Sequence, residues 1–229
     1  ILDQYVYFYP KNDLPSLDIP HAEFPENEII AVLGNNGAGK STFGDALCGL
    51  IRMKNAKCRY KGKEYRSQKM RTIAYKIFQD VNNQLFCESI LKEMSLGISK
   101  KIQKTDSHKD TVKRVLEIFN LYKKRKEHPM SLSGGEKQRT AIATAIVQNK
   151  EIFVFDEPTS GLDLRNMKAV CEVLNNLKER GKSVFVITHD PELVFRCCTY
   201  VVFLKDSQIQ WMSYMNSESV EKLEKFFSV

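Results

Sequence analysis

Apolar residues along this chain follow two periods. Short runs that are apolar throughout or at alternate positions predict strands at Leu2 to Tyr9, Glu28 to Leu33, Ile73 to Phe78, Ile152 to Phe155, Ser183 to Ile187, Tyr200 to Leu204 and Ser207 to Met212. Lys57 to Tyr65 alternates around Gly62 and predicts a short hairpin. Elsewhere apolar residues recur every three or four positions. They predict helices over Lys40 to Leu50, with Phe43, Leu47 and Leu50 on one side, and over Ser89 to Leu96, Thr111 to Phe119 and Gly134 to Val147. A further helix follows Asp163, with Met167, Val170, Leu174 and Leu177 inward and Gly181 as its stop, and a last one spans Ser217 to Phe227. Turn formers occupy Lys11 to Pro20 and Glu26-Asn27. Strands that alternate with helices predict an α/β fold, and the stretch from Gln79 to Lys150 is a helical insert in it.

The strand ends carry the chemistry. Behind Leu33 stands Gly34-Asn35-Asn36-Gly37-Ala38-Gly39-Lys40-Ser41, a G-x-x-x-x-G-K-[ST] phosphate loop between a strand and a helix, as that motif requires. Its glycines let backbone N–H groups turn onto phosphate oxygens, and the helix N-terminus adds partial positive charge. Lys40 can reach terminal phosphates, and the Ser41 hydroxyl is placed to ligate Mg²⁺, a hard cation that prefers oxygen. Ile73 to Phe78 delivers Gln79-Asp80, Ile152 to Phe155 delivers Asp156-Glu157, and Ser183 to Ile187 delivers Thr188-His189-Asp190. Consecutive carboxylates at the exit of a fully apolar strand are poor core residues and point to function. Gly34, Gln79, Asp156-Glu157 and His189 therefore all follow carboxyl ends of strands, the edge where open parallel sheets bind ligands. One site can hold them all.

A second anion site is predicted in the insert. Ser133 and Glu136 form a capping-box pair that starts a helix at Gly134. The adjacent Gly134 and Gly135 leave the first N–H groups uncovered, and Ser133 adds a hydroxyl. Paired glycines cost a helix about 1 kcal/mol each, which demands a reason.

Composition narrows the setting. A chain of 229 residues can bury the core of one α/β domain. No secretory signal is read at its start and no apolar run approaches the ~18 residues of a membrane span, so a soluble, intracellular protein is expected. The six cysteines form no C-x-x-C pair, and no histidine lies at zinc-ligand spacing. Cys197 and Cys198 fit either a redox pair or packing at a strand entry. The net charge of +7 admits nucleic acid or anionic lipid, but the lysine clusters around Lys100 to Lys104 and Lys123 to Lys126 lack interleaved aromatics and read as solvated surface. Tyr9 can offer its ring to a nucleotide base or serve as an ordinary strand aromatic.

With the phosphate loop, Leu132 to Arg139, and Asp156-Glu157-Pro158-Thr159-Ser160-Gly161-Leu162-Asp163 in that order, the chain resembles the nucleotide-binding subunits of ABC transporters over essentially its whole length. Phe78 to Phe86 looks like the cobalt-type ATPases of energy-coupling-factor (ECF) transporters, which import vitamins and transition-metal ions. The resemblance implies one α/β P-loop NTPase domain over 1–229. Its RecA-like parallel core, with an antiparallel β subdomain, would take 1–79 and 150–229, and an α-helical signature subdomain would take 80–149. It implies ATP and Mg²⁺ as ligands. Asn35, Asn36, Gly37, Ala38, Gly39, Lys40, Ser41 and Thr42 would hold the phosphates, and Tyr9 would stack on adenine. Ser41, Gln79 and Asp156 would serve the metal. Glu157 would be the general base, with Gln79 at the attacking water and His189 at the γ-phosphate. Two such domains sandwich two ATPs head to tail, so Ser133, Gly134 and Gly135 of one would face phosphates held by the other.

The expected partners are a second ABC ATPase domain and transmembrane transporter subunits, at the cytoplasmic face of the membrane, with no direct nucleic acid. Pro25-Glu26-Asn27-Glu28 stands where the family has a glycine-glutamate turn. The start at Ile1 and the fit to one domain read as one half of a fused pair. A small-molecule kinase would leave Leu132 to Arg139 unexplained. A nucleic-acid-linked or translation-associated ABC ATPase is the alternative function, but the coiled coils or zinc modules of the repair and chromosome types are missing. Against a GTPase, Asn149-Lys150 runs into Glu151-Ile152, without the guanine-reading N-K-x-D pattern.

Overall fold

The computed structural model describes residues 1–10, 12–160 and 164–228. In chain order the strands are β1 (Leu2–Tyr7), β2 (Leu17–Ala22), β3 (Ile29–Leu33), β4 (Lys57–Tyr60), β5 (Lys63–Arg66), β6 (Ala74–Ile77), β7 (Ile152–Asp156), β8 (Ser183–Ile187), β9 (Tyr200–Lys205) and β10 (Gln208–Tyr214). The helices are α1 (Lys40–Leu47), α2 (Ile90–Ser95), α3 (Lys100–Gln103), α4 (Asp106–Ile118), α5 (Gly134–Val147), α6 (Leu164–Glu179), α7 (Pro191–Cys197) and α8 (Ser217–Phe227).

The apolar runs pair as their burial demands. β3, β7 and β8 are buried at every residue and form the middle of a six-stranded sheet of order β10-β9-β3-β8-β7-β6. β6, β7, β8, β3 and β9 run parallel, and β10 closes the edge antiparallel to β9. A separate antiparallel sheet has the order β2-β1-β4-β5.

Alternation along the central strands splits the core in two, because successive side chains leave opposite faces of a sheet. Ile30, Val32, Val154, Phe185 and Ile187 pack with α1 residues Phe43, Ala46 and Leu47 and with Tyr5, Leu17 and Ile19 of the small sheet. Ile29, Ala31, Leu33, Phe153, Phe155, Val184 and Val186 pack on the other face. Their partners there are Ile90, Met94, Val115, Ala141, Leu174 and Leu193, from α2 and α4 to α7. The phosphate-loop helix and the helical insert thus lie on opposite sides of one sheet.

Several boundaries differ from the sequence reading. β1 ends at Tyr7, so Phe8 and Tyr9 lie beyond it and are half exposed. The turn formers from residue 12 onward run into strand β2, whose pairing with β1 supplies what the residue types did not signal. Part of that predicted turn, Lys11, lies outside the described residues. α1 stops at Leu47, and Leu50 is exposed beyond it rather than on its buried side. α7 was not read, and it places Cys197 at its end and Cys198 at its cap; both are buried thiols packed at the entry to β9, with Cys198 two residues before Tyr200. All six cysteines are free. Where the family turn has glycine, Asn27 takes a positive φ of 58°, which asparagine tolerates better than most residues. No described helix is long and apolar enough to cross a membrane.

Candidate active site

The phosphate loop is shaped by what surrounds it. Gly34 has φ 146°, and a Cβ there would sit 2.1 Å from the Leu204 carbonyl oxygen, so only glycine lets the loop leave β3 beside β9. Gly39, at φ 94°, caps α1 without a side-chain hydrogen bond, and a Cβ would lie 2.8 Å from the Ser16 carbonyl. The start of α1 therefore presents backbone N–H groups that no side-chain cap covers. Ala38 N–H bonds the Asn35 carbonyl and tightens the loop. Lys40 is buried at the head of α1, and its Nζ donates to the carbonyls of Gly34 at 2.6 Å and Asn35 at 2.9 Å. Burial pushes the Lys40 pKa down, opposed by the nearby charges of Glu157 and Asp156. Such an ammonium, hydrogen-bonded to two neutral carbonyls, suits an anionic ligand.

The four strand ends do converge. A cleft of ≈ 550 Å³ is lined by Tyr9, Asn36, Gly37, Gly39, Lys40, Ser41, Thr42, Gln79, Asp156, Glu157 and His189. Asp156 ends β7 and is buried; Glu157 follows with φ 49° and its N–H bonded to the Ile187 carbonyl of β8. That turn points the carboxylate along the sheet edge. Glu157 Oε2 accepts from Thr188 Oγ1 at 3.1 Å and from His189 N–H at 3.4 Å, while His189 Nε2 stands 3.9 Å from Oε1. Thr159 Oγ1 donates to Asp190, which also caps α7, so the chain after Glu157 is tied to the chain after β8. Tyr9 is 40% exposed, with its ring edge-on to Tyr7 at 5.0 Å and its hydroxyl 3.5 Å from Thr42 Oγ1.

Ser133, Gly134 and Gly135 are not in this cleft. They begin α5 as the capping box predicts: Ser133 Oγ accepts from Glu136 N–H, and Glu136 Oε2 accepts from Ser133 N–H at 3.0 Å. Lys124 lies 2.8 Å from Glu136, and that hydrogen bond, with the one from Ser133 N–H, holds the Glu136 carboxyl down at about 2. A Cβ at Gly134 would meet nothing within 4 Å, and one at Gly135 only Arg139 Nη1 at 3.5 Å. Nothing among the described residues demands either glycine.

Sequence reasoning missed two sets of residues. Asn12, Leu14, Pro15 and Ser16, between β1 and β2, and Ser207, between β9 and β10, line the cleft. Loop composition alone carries no signal for them. Lys76, in β6, is buried and lies 2.9 Å from both Asp156 and Asp45. A lysine inside the apolar run Ile73 to Phe78 was a legible signal, because a buried ammonium requires carboxylates. Burial works against its charge, yet Asp156 and Asp45 outweigh it and raise its pKa. Gly161, Leu162 and Asp163, the end of the third motif, lie outside the described residues. A larger groove of ≈ 840 Å³ between α4, α5 and α6 contains none of the strand-end residues.

The ABC transporter family matches residues 17–160. A Treponema denticola protein assigned as an ABC transporter ATP-binding protein is 39% identical over 182 residues, 80% of this chain and 36% of that protein, so the chain spans about a third of that relative's length. Among solved structures, cbiO1 from Clostridium perfringens, part of the ABC transporter complex cbiONQ, is 26% identical, with TM-score 0.80 over 97% of this chain and 91% of that one. A bacterial ABC transporter cassette solved as a dimer shares the fold at 23% identity and TM-score 0.78, over 94% of this chain and 98% of that one. Family match, architecture and the convergence of strand ends agree: the chain belongs to the ABC transporter family and has the fold of its ATP-binding cassettes.

Proposed function

We propose that this cassette is the motor of an ECF-type importer of a vitamin or metal ion, working as a head-to-tail pair with a second cassette at the cytoplasmic face of the membrane. The observation that supports the pairing is the start of α5: Ser133, Gly134 and Gly135 begin a helix outside the cleft, with glycines that no neighbour among the described residues requires, and a helix end of this kind suits an anion. They fit phosphates held by another cassette. The likeness to cbiO1 and the segment Phe78 to Phe86 support the importer type. In that segment Gln84 folds back onto Phe78 N–H and the Lys76 carbonyl, Phe86 is 68% exposed, and Asn82 accepts from Lys137 of α5. The segment after Gln79 is thus fastened to the signature helix while offering an aromatic outward, as a coupling surface to membrane subunits must. We take 1–79 with 150–229 as the core and 80–149 as the helical subdomain.

In this reading the loop from Asn35 to Thr42 holds the phosphates and Tyr9 the adenine ring. Ser41, Asp156 and Gln79 hold Mg²⁺ and its water, and the metal supplies charge neutralisation for phosphoryl transfer. Glu157, steadied by Thr188 and His189, accepts a proton from the attacking water, and His189 contacts the γ-phosphate. Groups supplied in trans to phosphoryl transfer are worth ~10³ to 10⁵ in rate, so a lone cassette should bind ATP and turn it over slowly. The partner is a second copy or another part of a longer polypeptide; the 36% share of the Treponema relative leaves length for one.

The test is the mass of Glu157→Gln by light scattering with and without ATP and Mg²⁺. Doubling of the mass on ATP, with turnover stopped, is the expected result for pairing between copies. A monomer that binds ATP would move the pairing to a different cassette. Hydrolysis at the parental rate would remove Glu157 from the base role.

A further inference from the structure

Lys76 leaves β6 on the side of α1, among residues that otherwise form an apolar cluster. Its side chain is 4% exposed, and its Nζ lies 2.9 Å from Asp45 Oδ1 and 2.9 Å from Asp156 Oδ2. Gly44 makes the room: a Cβ there would lie 2.9 Å from Ile187 Cδ1 and 3.7 Å from Lys76 Cε. The ring of Phe78 flanks the ammonium at 5.5 Å. Two carboxylates, from α1 and from the end of β7, therefore converge on one buried point, and the ammonium stands at it. Oxygen ligands of this kind, completed by waters, are what a hard divalent cation takes. The carboxylate of Asp156 thus faces two demands, one from Lys76 beneath it and one from the nucleotide cleft that it lines.

We propose that Lys76 is a positioning residue that holds Asp156 through Oδ2 and fills the point between Asp45 and Asp156 where a divalent cation would otherwise lodge. Metal then enters with the nucleotide rather than ahead of it. Without the ammonium, Asp45 and Asp156 become an unshielded pair that collects metal in the wrong place. This rests on the reading that Asp156 serves the Mg²⁺ of bound ATP.

Mn²⁺ binding to nucleotide-free protein, read by electron paramagnetic resonance, tests it apart from turnover. Lys76→Met should bind one Mn²⁺ at least about tenfold more tightly than the parent, since the change removes a positive charge that repels a cation at contact distance. Adding Asp45→Asn to Lys76→Met should abolish the gain. In the hydrolysis assay Lys76→Met should lower kcat about tenfold with little change in KM for ATP, the pattern of a group that acts in the transition state. A folded Lys76→Met that gains no Mn²⁺ overturns the proposal. Should that variant not fold, the parent decides: the ¹⁵N spectrum of its lysine ammonium groups should hold an exchange-protected signal that persists in Lys40→Ala and is therefore not that of the buried Lys40, and its absence overturns the proposal too. Calorimetric ATP binding separates the two levels: if no form binds ATP, the nucleotide reading fails, whereas ATP binding without the Mn²⁺ difference removes only the role of Lys76.

Discussion

Gly135 separates what a residue does for its own chain from what it does for a ligand. It sits in the first turn of α5, where alanine would favour the helix by up to about 1 kcal/mol, and the space beside it holds only the tip of Arg139. Gly135→Ala should leave the melting temperature level or slightly raised, yet lower ATP hydrolysis at least about tenfold if a phosphate approaches that backbone. Thermal denaturation and phosphate release, measured together, check it; unchanged hydrolysis would return the glycine to a role in helix entry alone. Residues of this kind were legible in the sequence because their chemistry is local: a glycine loop, two carboxylates and a histidine each announce themselves within a few positions. Lys76 was passed over because its meaning lies in Asp45 and Asp156, which are far from it in sequence and meet it only through packing.

The start of α5 is held by charge as well as by its cap. The Glu136 carboxyl lies at about 2, below its ordinary 4.5, so the stability it contributes is full above about 4.5 and is lost as pH falls towards 2. After screening at a partly solvated site the loss should be on the order of 1 kcal/mol. Acid unfolding of the parent beside Glu136→Gln checks this: the parent should lose its margin over the variant between pH 4.5 and 2, and parallel curves would place the acid sensitivity elsewhere. Elements with a strong internal period, such as α6, an unbroken apolar run, such as β7 and β8, or a capping box, such as α5, were read from sequence nearly to their ends. β2 and α7 were not. β2 is a strand because β1 pairs with it across a long loop, and α7 follows directly on a strand end whose residues drew attention as chemistry rather than as the cap that Asp190 supplies.

At the scale of the whole molecule, the parallel order of the sheet could be inferred from strands alternating with helices, and with it the shared edge that collects the cleft. The separate antiparallel sheet rested on family resemblance, since a hairpin signal at Lys57 to Tyr65 does not name its neighbours. What sequence could not show is how thoroughly the sheet is shared: Ile30 and Val32 belong to one half of the core while Ile29, Ala31 and Leu33 belong to the other. No strand of the centre can leave one half without leaving both. Heating should therefore give a single calorimetric transition, with calorimetric and van't Hoff enthalpies equal, and two resolved peaks would contradict it. The same sharing governs slow amide exchange. The central strands should exchange only when the entire protein opens, so a nucleotide at their carboxyl ends should also protect amides deep in the helical layer behind the sheet, far from the cleft.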